Sequence, residues 1–207
     1  MKVKSYTLGA LGTNCYIVYN EKTKEAAVFD PADNGEKIAD EIKREGLTLK
    51  YIVITHAHCD HIMALDKLKD IFPDSKICIG KYAADSLNDD YLSLCVHFGA
   101  KAPFKKADIL IADGDTLDLG SECFKFIHTP GHTKGGICAL ADDFVISGDT
   151  LFFESVGRCD FPGGDMKELM NSIKEKLFSL PDTLTVYPGH GEASTILHEK
   201  KNNPYIW

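Results

Sequence analysis

No stretch of this 207-residue chain approaches the roughly 20 consecutive apolar residues that a membrane helix needs. The opening, Met1 to Gly12, starts basic and turns mildly apolar, but Ser5, Thr7, Thr13 and Asn14 interrupt it and no cleavage site follows, so a first β-strand is expected there rather than a leader. Long runs of one charge are missing too. The net charge is -8, and the densest basic stretch, Lys101 to Lys106, holds Pro103 and Phe104 and reads as a solvated face. That argues against nucleic acid as a partner. The seven cysteines are odd in number, scattered and without a C-x-x-C pair, which argues against a disulfide framework or a zinc ribbon and fits small core residues in a reducing cytosol. Repeats, low-complexity tracts and interdomain linkers are absent. The expectation is one soluble, cytoplasmic domain spanning residues 1–207, with no membrane or nucleic-acid partner and a small molecule as substrate.

What is present suffices for a sizeable core: 44% of the residues are apolar. Residues 3 to 8, 15 to 19 and 26 to 29 read as strands of an antiparallel opening. Ile38, Ala39 and Ile42 keep helical spacing between Asn34 and Arg44, and Gly46 suits the position just past that helix. A short buried strand is expected over 51–55, a helix on Leu65, Leu68 and Phe72 stopped by Pro73, and a strand over 76–79. The pattern blurs between Gly80 and Asp108, where Tyr82, Tyr91, His97, Phe98 and Phe104 either line a cleft or pack under a lid. Strand signals return at 109–111, 116–119 and 123–128, followed by a hairpin of 137–140 with 144–147. Asp165 opens a helix with Glu168 three residues on, and Met166, Leu169, Met170, Ile173 and Leu177 share one face. A strand over 184–187 and a short terminal helix close the chain. Two sheets with helices outside them would bury all of these faces.

The chemistry concentrates in Thr55-His56-Ala57-His58-Cys59-Asp60-His61. In extended backbone His56 and His58 point the same way, and a tight turn into a helix brings Asp60 and His61 to a neighbouring position. Three imidazoles and a carboxylate in six residues form a metal-ligand cluster, and the lack of cysteine at the matching positions argues against a closed structural zinc site. Cys59 is read as a bystander. His132, Asp149 and His190 each follow an apolar strand and a Gly-containing turn, so four strand ends deliver seven candidate ligands to one edge of the sheets. Taken singly, His132 and His190 read equally as turn residues and Asp149 as a turn aspartate. His97, His128 and His198 are expected to be structural or at the surface, His128 being the one that supports a ligand.

Thr55 to His61, Pro130-Gly131-His132, Ser147-Gly148-Asp149 and Pro188-Gly189-His190 resemble the metallo-β-lactamase superfamily of hydrolases. The resemblance runs from Thr13-Asn14-Cys15-Tyr16 and Phe29-Asp30-Pro31 to Asn203-Pro204-Tyr205. Gly157-Arg158-Cys159-Asp160, Pro162-Gly163-Gly164-Asp165 and the ending from Glu199-Lys200 to Tyr205 resemble its short glyoxalase II-like members. Two departures stand out. Ile62-Met63-Ala64-Leu65 replaces a glycine pair or Gly-Ala after the last histidine of the first motif. The added helical domain that helps glyoxalase II hold glutathione has no counterpart after Tyr205.

The resemblance implies an α/β fold, a four-layer αββα sandwich of two mixed β-sheets flanked by helices. It implies one metal on His56, His58 and His132, a second on Asp60, His61 and His190, and Asp149 between them. The ions are expected to be zinc, with iron or manganese as alternatives. A hydroxide bridging them attacks a carbonyl, Asp60 both binding metal and orienting the hydroxide. The substrate expected is a small acyl thioester such as an S-2-hydroxyacylglutathione, whose thiolate, of pKa roughly 8.5, leaves with little protonation. Arg158 either meets a substrate carboxylate or pairs with Asp160. A persulfide dioxygenase with one iron on His56, His132 and Asp149 is the alternative from another class, and a lactonase or other small-ester hydrolase is a third.

Overall fold

The structure is a computed structural model describing residues 1–102 and 104–206; Pro103, inside the basic stretch 101–106, and the terminal Trp207 lie outside the described residues. The chain opens with strands β1 (Lys2–Leu8), β2 (Thr13–Tyr19) and β3 (Glu25–Phe29), then helix α1 (Gly35–Arg44) and strand β4 (Thr48–Ile54). Two short helices, α2 (Cys59–Ile62) and α3 (Leu65–Ile71), lead to β5 (Lys76–Gly80). Among its described residues the segment of blurred pattern holds two 3-10 turns, Ala84–Asn88 and Cys95–His97, before β6 (Ile109–Ile111). The second half runs through β7 (Thr116–Leu119), β8 (Glu122–His128), β9 (Ile137–Leu140) and β10 (Phe144–Gly148) to a small hairpin, β11 (Leu151–Phe152) and β12 (Ser155–Val156). Helix α4 (Met166–Asn171), strands β13 (Thr185–Pro188) and β14 (Ser194–Thr195) and helix α5 (Ile196–Asn202) complete it.

The strands form two mixed six-stranded sheets, ordered β1-β2-β3-β4-β5-β6 and β14-β13-β10-β9-β8-β7, with β11 and β12 pairing apart from both. In the first sheet β1, β2 and β3 pair antiparallel while β3, β4, β5 and β6 run parallel. Period-two alternation sends the two faces of each inner strand into different cores. Along β2, Cys15 and Ile17 pack with Ile38, Ile42, Leu65 and Leu68 of the flanking helices, whereas Tyr16 and Val18 pack with Phe124, Phe126 and Ile146 of the facing sheet. Val145 and Val186 point the other way again, onto Leu169, Ile173 and Ile196. Three apolar layers therefore separate helices, sheet, sheet and helices, which is the αββα sandwich.

Local chemistry sets the helix ends. The Asn34 side chain accepts from Lys37 N at the start of α1, and Asp165 accepts from Lys167 N and Glu168 N at the start of α4. The helix expected after Asp165 is less regular than its sequence spacing predicts: α4 passes into a π turn at Ser172–Lys176 and a 3-10 turn at Leu177–Ser179. Leu169, Ile173 and Leu177 are buried as expected. Met166 is 48% exposed, because the first turn stands out beside the loop of Arg158 to Asp160. Ile62, Ala64 and Leu65 pack into the core under the first sheet, and Met63 faces outward.

Candidate metal centre

Four loops that leave the C-terminal ends of β4, β8, β10 and β13 meet at one edge of the sandwich. The chain after β4 stays extended through His58, whose backbone lies at φ -66 and ψ 143, and only then turns into α2. That delay places the rings of His56 and His58 at the cluster and lets the first helical turn present Asp60 and His61 beside them.

Two sets of ligand atoms result. His56 Nε2, His58 Nδ1 and His132 Nε2 lie 2.9, 3.1 and 3.2 Å apart. A tetrahedral ion with metal–nitrogen bonds of 2.0–2.1 Å needs nitrogens about 3.3 Å apart, so this triangle is close to that size. Asp60 Oδ2 lies 3.4 Å from His61 Nε2 and 3.3 Å from His190 Nε2 in the second set. Asp149 reaches both: Oδ2 stands 3.5 Å from His132 Nε2 and 3.6 Å from His190 Nε2, and Oδ1 stands 3.4 Å from His61 Nε2. His61 Nε2 and Asp149 Oδ1 are buried without a hydrogen-bond partner. Buried polar atoms are rarely left so, and a cation among these oxygens and nitrogens would satisfy both. Divalent ions therefore fit the residues present.

The outward nitrogen of three of the rings is held. His56 Nδ1 donates to Thr55 Oγ1 at 3.1 Å, and that hydroxyl donates to Asp30 Oδ2 at 2.7 Å. His132 Nδ1 donates to the carbonyl of Arg158 at 2.6 Å and His61 Nδ1 to Asp30 Oδ2 at 3.0 Å. These bonds keep the proton on Nδ1 and leave Nε2 facing inward. Thr13 Oγ1 donates to Asp60 Oδ2 at 2.7 Å. Asn14 Nδ2 and Tyr16 OH donate to the carbonyl of Pro188 at 3.1 and 2.6 Å, which ties the His190 loop to the opposite sheet. Gly189 is needed there: a Cβ would overlap Asp149 Oδ1 and stand 2.8 Å from His61 Cε1.

Electrostatics follow from that crowding. Burial, then the charges of His132 and His61, push His58 down to about 3, and burial likewise lowers His56 and His132. Burial opposes charge on His61 as well, but Asp149 and Asp30 hold its pKa well above the ordinary histidine value. Burial works against ionised Asp60 and Asp149, yet His190, His61 and Thr13 keep Asp60, and His61 and His132 keep Asp149, below the usual carboxylate range.

A cavity of about 370 Å³ opens over Asp60, Asp149 and His190. Its wall is mostly apolar, from Leu11, Leu94, Phe98, Phe152 and Phe161. The Arg158 guanidinium lies at the rim, paired to both carboxylate oxygens of Asp160 at 2.9 and 2.6 Å and 4.4 Å from the Phe161 ring centroid. His97 lines the cavity too, beside Phe98 of the same segment. His128, expected to support a ligand, instead bonds the carbonyl of Lys134 at 2.9 Å and lies beside Tyr82, while His198 pairs with Glu154. Cys59 is buried with its N–H on the carbonyl of Ser93, and burial together with Cys95 pushes its thiol well up. Asp30 was missed as a supporting residue. The signal for it was a lone carboxylate directly after an apolar strand, in Phe29-Asp30-Pro31.

Residues 8–190 match the family described as the Metallo-beta-lactamase superfamily. The chain is 35% identical to "Probable metallo-hydrolase YqgX" of Bacillus subtilis, covering 100% of this chain and 98% of that one. It is 31% identical to "Hydroxyacylglutathione hydrolase GloC" of Haemophilus influenzae, again over 100% and 98%. Among solved structures it resembles BLEG-1 B3 metallo-beta-lactamase, with a TM-score of 0.93 and 36% identity over 99% of each chain. It also resembles TTHA1623 in a di-iron-bound form, at 0.86 and 33% over 98% and 100%, and ETHE1 from Myxococcus xanthus, at 0.84 and 28% over 99% and 84%. The αββα sandwich is the fold shared with these structures. The chain belongs to the metallo-beta-lactamase superfamily.

Proposed function

We propose that the protein is a cytoplasmic hydrolase of small acyl thioesters that works with two divalent ions, zinc before iron or manganese. The observation that carries this reading is the position of Asp149, between a complete triad of His56, His58 and His132 and a complete triad of Asp60, His61 and His190. Bound at these residues, the ions would supply hydroxide at neutral pH and polarise a carbonyl. The chain's own part is to hold and orient. Asp60, with one oxygen fixed by Thr13, faces the cavity, where it would help hold metal and orient the attacking hydroxide. The aromatic wall of Phe98, Phe152 and Phe161 would exclude bulk water and hold an apolar acyl group. A thiolate leaves without a dedicated proton donor, and no side-chain nucleophile is required.

The similarity to GloC supports a glutathione thioester among the substrates. Because Arg158 is already paired with Asp160, the cavity offers a glutathione carboxylate little unclaimed charge, so acceptance without strong preference is expected. Seven free thiols suit a reducing compartment. The second reading, a mononuclear iron persulfide dioxygenase on His56, His132 and Asp149, is favoured by the likeness to ETHE1. Elemental analysis of protein purified without added metal, with assays on glutathione, coenzyme A and alkyl thioesters, a lactone, a β-lactam and glutathione persulfide, tests both. About two ions per chain and thioester turnover are expected, and Asp149→Ala should remove metal and activity where Asp160→Ala does not. A single iron with persulfide-dependent oxygen uptake and no thioester turnover would overturn the hydrolase.

A further inference from the structure

We propose that Glu199 of α5 and Asn203, the residue that caps that helix, are positioning residues for the metal centre, acting through the β11–β12 hairpin. The inference rests on the reading that His132 and Asp149 hold metal, and on no particular substrate.

The chain leaves the site at Asp149, runs out through β11, turns at Phe153 and Glu154, and returns through β12 to Arg158. Both ends touch ligands. The carbonyl of Arg158 accepts from His132 Nδ1 at 2.6 Å, and at Gly157 a Cβ would overlap the carbonyl oxygen of Asp149 and stand 3.2 Å from His132 Cβ. Midway, the Phe152 ring lies edge-on to His190 with centroids 6.0 Å apart. A shift of this hairpin would therefore be felt by ligands of both sets.

Leu151 and Val156 anchor the base of the hairpin in the core, and Ser147 Oγ donates to the Leu151 carbonyl at 2.8 Å, but the turn has little of its own to hold it. The hairpin has two residue pairs, Leu151 with Val156 and Phe152 with Ser155, it joins neither large sheet, and Glu154 at its turn sits at φ +50, where a side chain is strained. Helix α5 and its C-cap residue restrain that turn. Glu199 Oε2 accepts from Glu154 N at 2.9 Å, and Asn203 Nδ2 donates to the carbonyl of Ser155 at 3.0 Å and to Glu199 Oε2 at 2.8 Å. Glu199 and Asn203 are both fully buried, Glu199 Oε1 has no partner, and no cation pairs with the carboxyl group among the described residues. Burying a carboxyl group opposes folding unless its hydrogen bonds repay it, and an apolar side chain would serve as well if the helix merely had to dock. What an apolar side chain would not do is grip the backbone of a strained turn from both sides.

The test measures zinc affinity by competition with a chromogenic chelator, alongside the urea midpoint of the metal-free protein. Glu199→Ala and Asn203→Ala should each weaken zinc binding by about tenfold, the lower end of what loss of a ligand's support costs. Glu199→Gln keeps an oxygen for Glu154 N and Asn203 and should stay within about twofold of the unaltered protein. If Glu199→Ala does not fold, Asn203→Ala carries the test with the same expectation. Unchanged zinc affinity in the alanine variants, even with a lowered urea midpoint, would reduce both residues to a purely structural role and overturn the proposal. A glutamine variant as weak as alanine would overturn it as well. Failure of the unaltered protein to bind zinc would instead sink the metal assignment itself.

Discussion

His61 Nδ1 donates to Asp30 Oδ2 at 3.0 Å, and the same oxygen accepts from Thr55 Oγ1 at 2.7 Å, so one buried carboxylate at the end of β3 supports ligands from both metal sets. Its other oxygen accepts from Thr55 N at 2.7 Å, which fixes the start of the ligand loop. Asp30→Asn would leave that last bond possible but turn an amide N–H towards two donors. Zinc affinity should fall by about ten- to a hundredfold, because two ligand rings lose their anchor at once. Chelator competition reads this directly, and unchanged binding would show that packing alone orients His61.

The layers and most element bounds were legible in the sequence because burial writes itself as periodicity. Cys15, Tyr16, Ile17 and Val18 form a continuous apolar run, which marks β2 as a strand buried on both faces, although which core each side chain enters is read from the structure. The ligand positions were legible because histidines after apolar strands are conspicuous. Residues acting through a single hydrogen bond across the fold were not. Nothing in the spacing of Thr13 and Asp60, or of Arg158 and His132, reveals that one partner lies 47 or 26 positions away. His97 was left between two readings for a related reason: its place over the cavity depends on the aperiodic segment 80–108, where no repeat fixes which way a side chain faces.

Gly189→Ala should be among the most damaging small substitutions in the chain. The added methyl meets Asp149 Oδ1 and the His61 ring, and neither is the free end of a flexible side chain. The His190 loop cannot simply lift away, because Asn14 and Tyr16 hold the carbonyl of Pro188 and Asn14 N donates to the carbonyl of Gly189 at 2.7 Å. Loss of at least one equivalent of zinc is expected, with overpacking costing roughly 1–3 kcal/mol of stability in the metal-free protein. Full retention of two ions would show that the loop has slack.

His58 gives the metal-free protein a defined response to acid. Burial and its neighbours lower it to about 3 in the fold, from 6.5 in the unfolded chain. The unfolded state then binds the extra proton first, so this group costs stability as pH falls from about 6.5 towards 3 and costs nothing above 6.5. At pH 5 the cost is about 2 kcal/mol. His61, raised in the fold, works in the opposite sense and contributes stability on the acid side. Urea unfolding of metal-free His58→Asn against the unaltered chain should therefore show a shallower loss between pH 6.5 and 5. Parallel curves would mean that His58 takes up a proton in the fold as readily as in the open chain.

Arg158 supplies the last prediction, because it decides how an anionic substrate is received. Its guanidinium binds Asp160 through two hydrogen bonds, yet the two side chains are 67% and 64% exposed. An exposed pair of this kind is weak and screened by salt. Asp160→Asn would leave the cation at the cavity rim unpaired without touching the metal ligands. The KM for a glutathione thioester should fall by no more than about fivefold, and the effect should fade at high ionic strength. The KM for an uncharged alkyl thioester should not move. Arg158→Gln should raise the KM for the glutathione thioester by no more than a similar factor, because it leaves the Asp160 carboxylate unpaired, and should not move that for the alkyl thioester. A large rise in KM for the glutathione thioester in Arg158→Gln would mean instead that substrate displaces Asp160 and takes the guanidinium for itself.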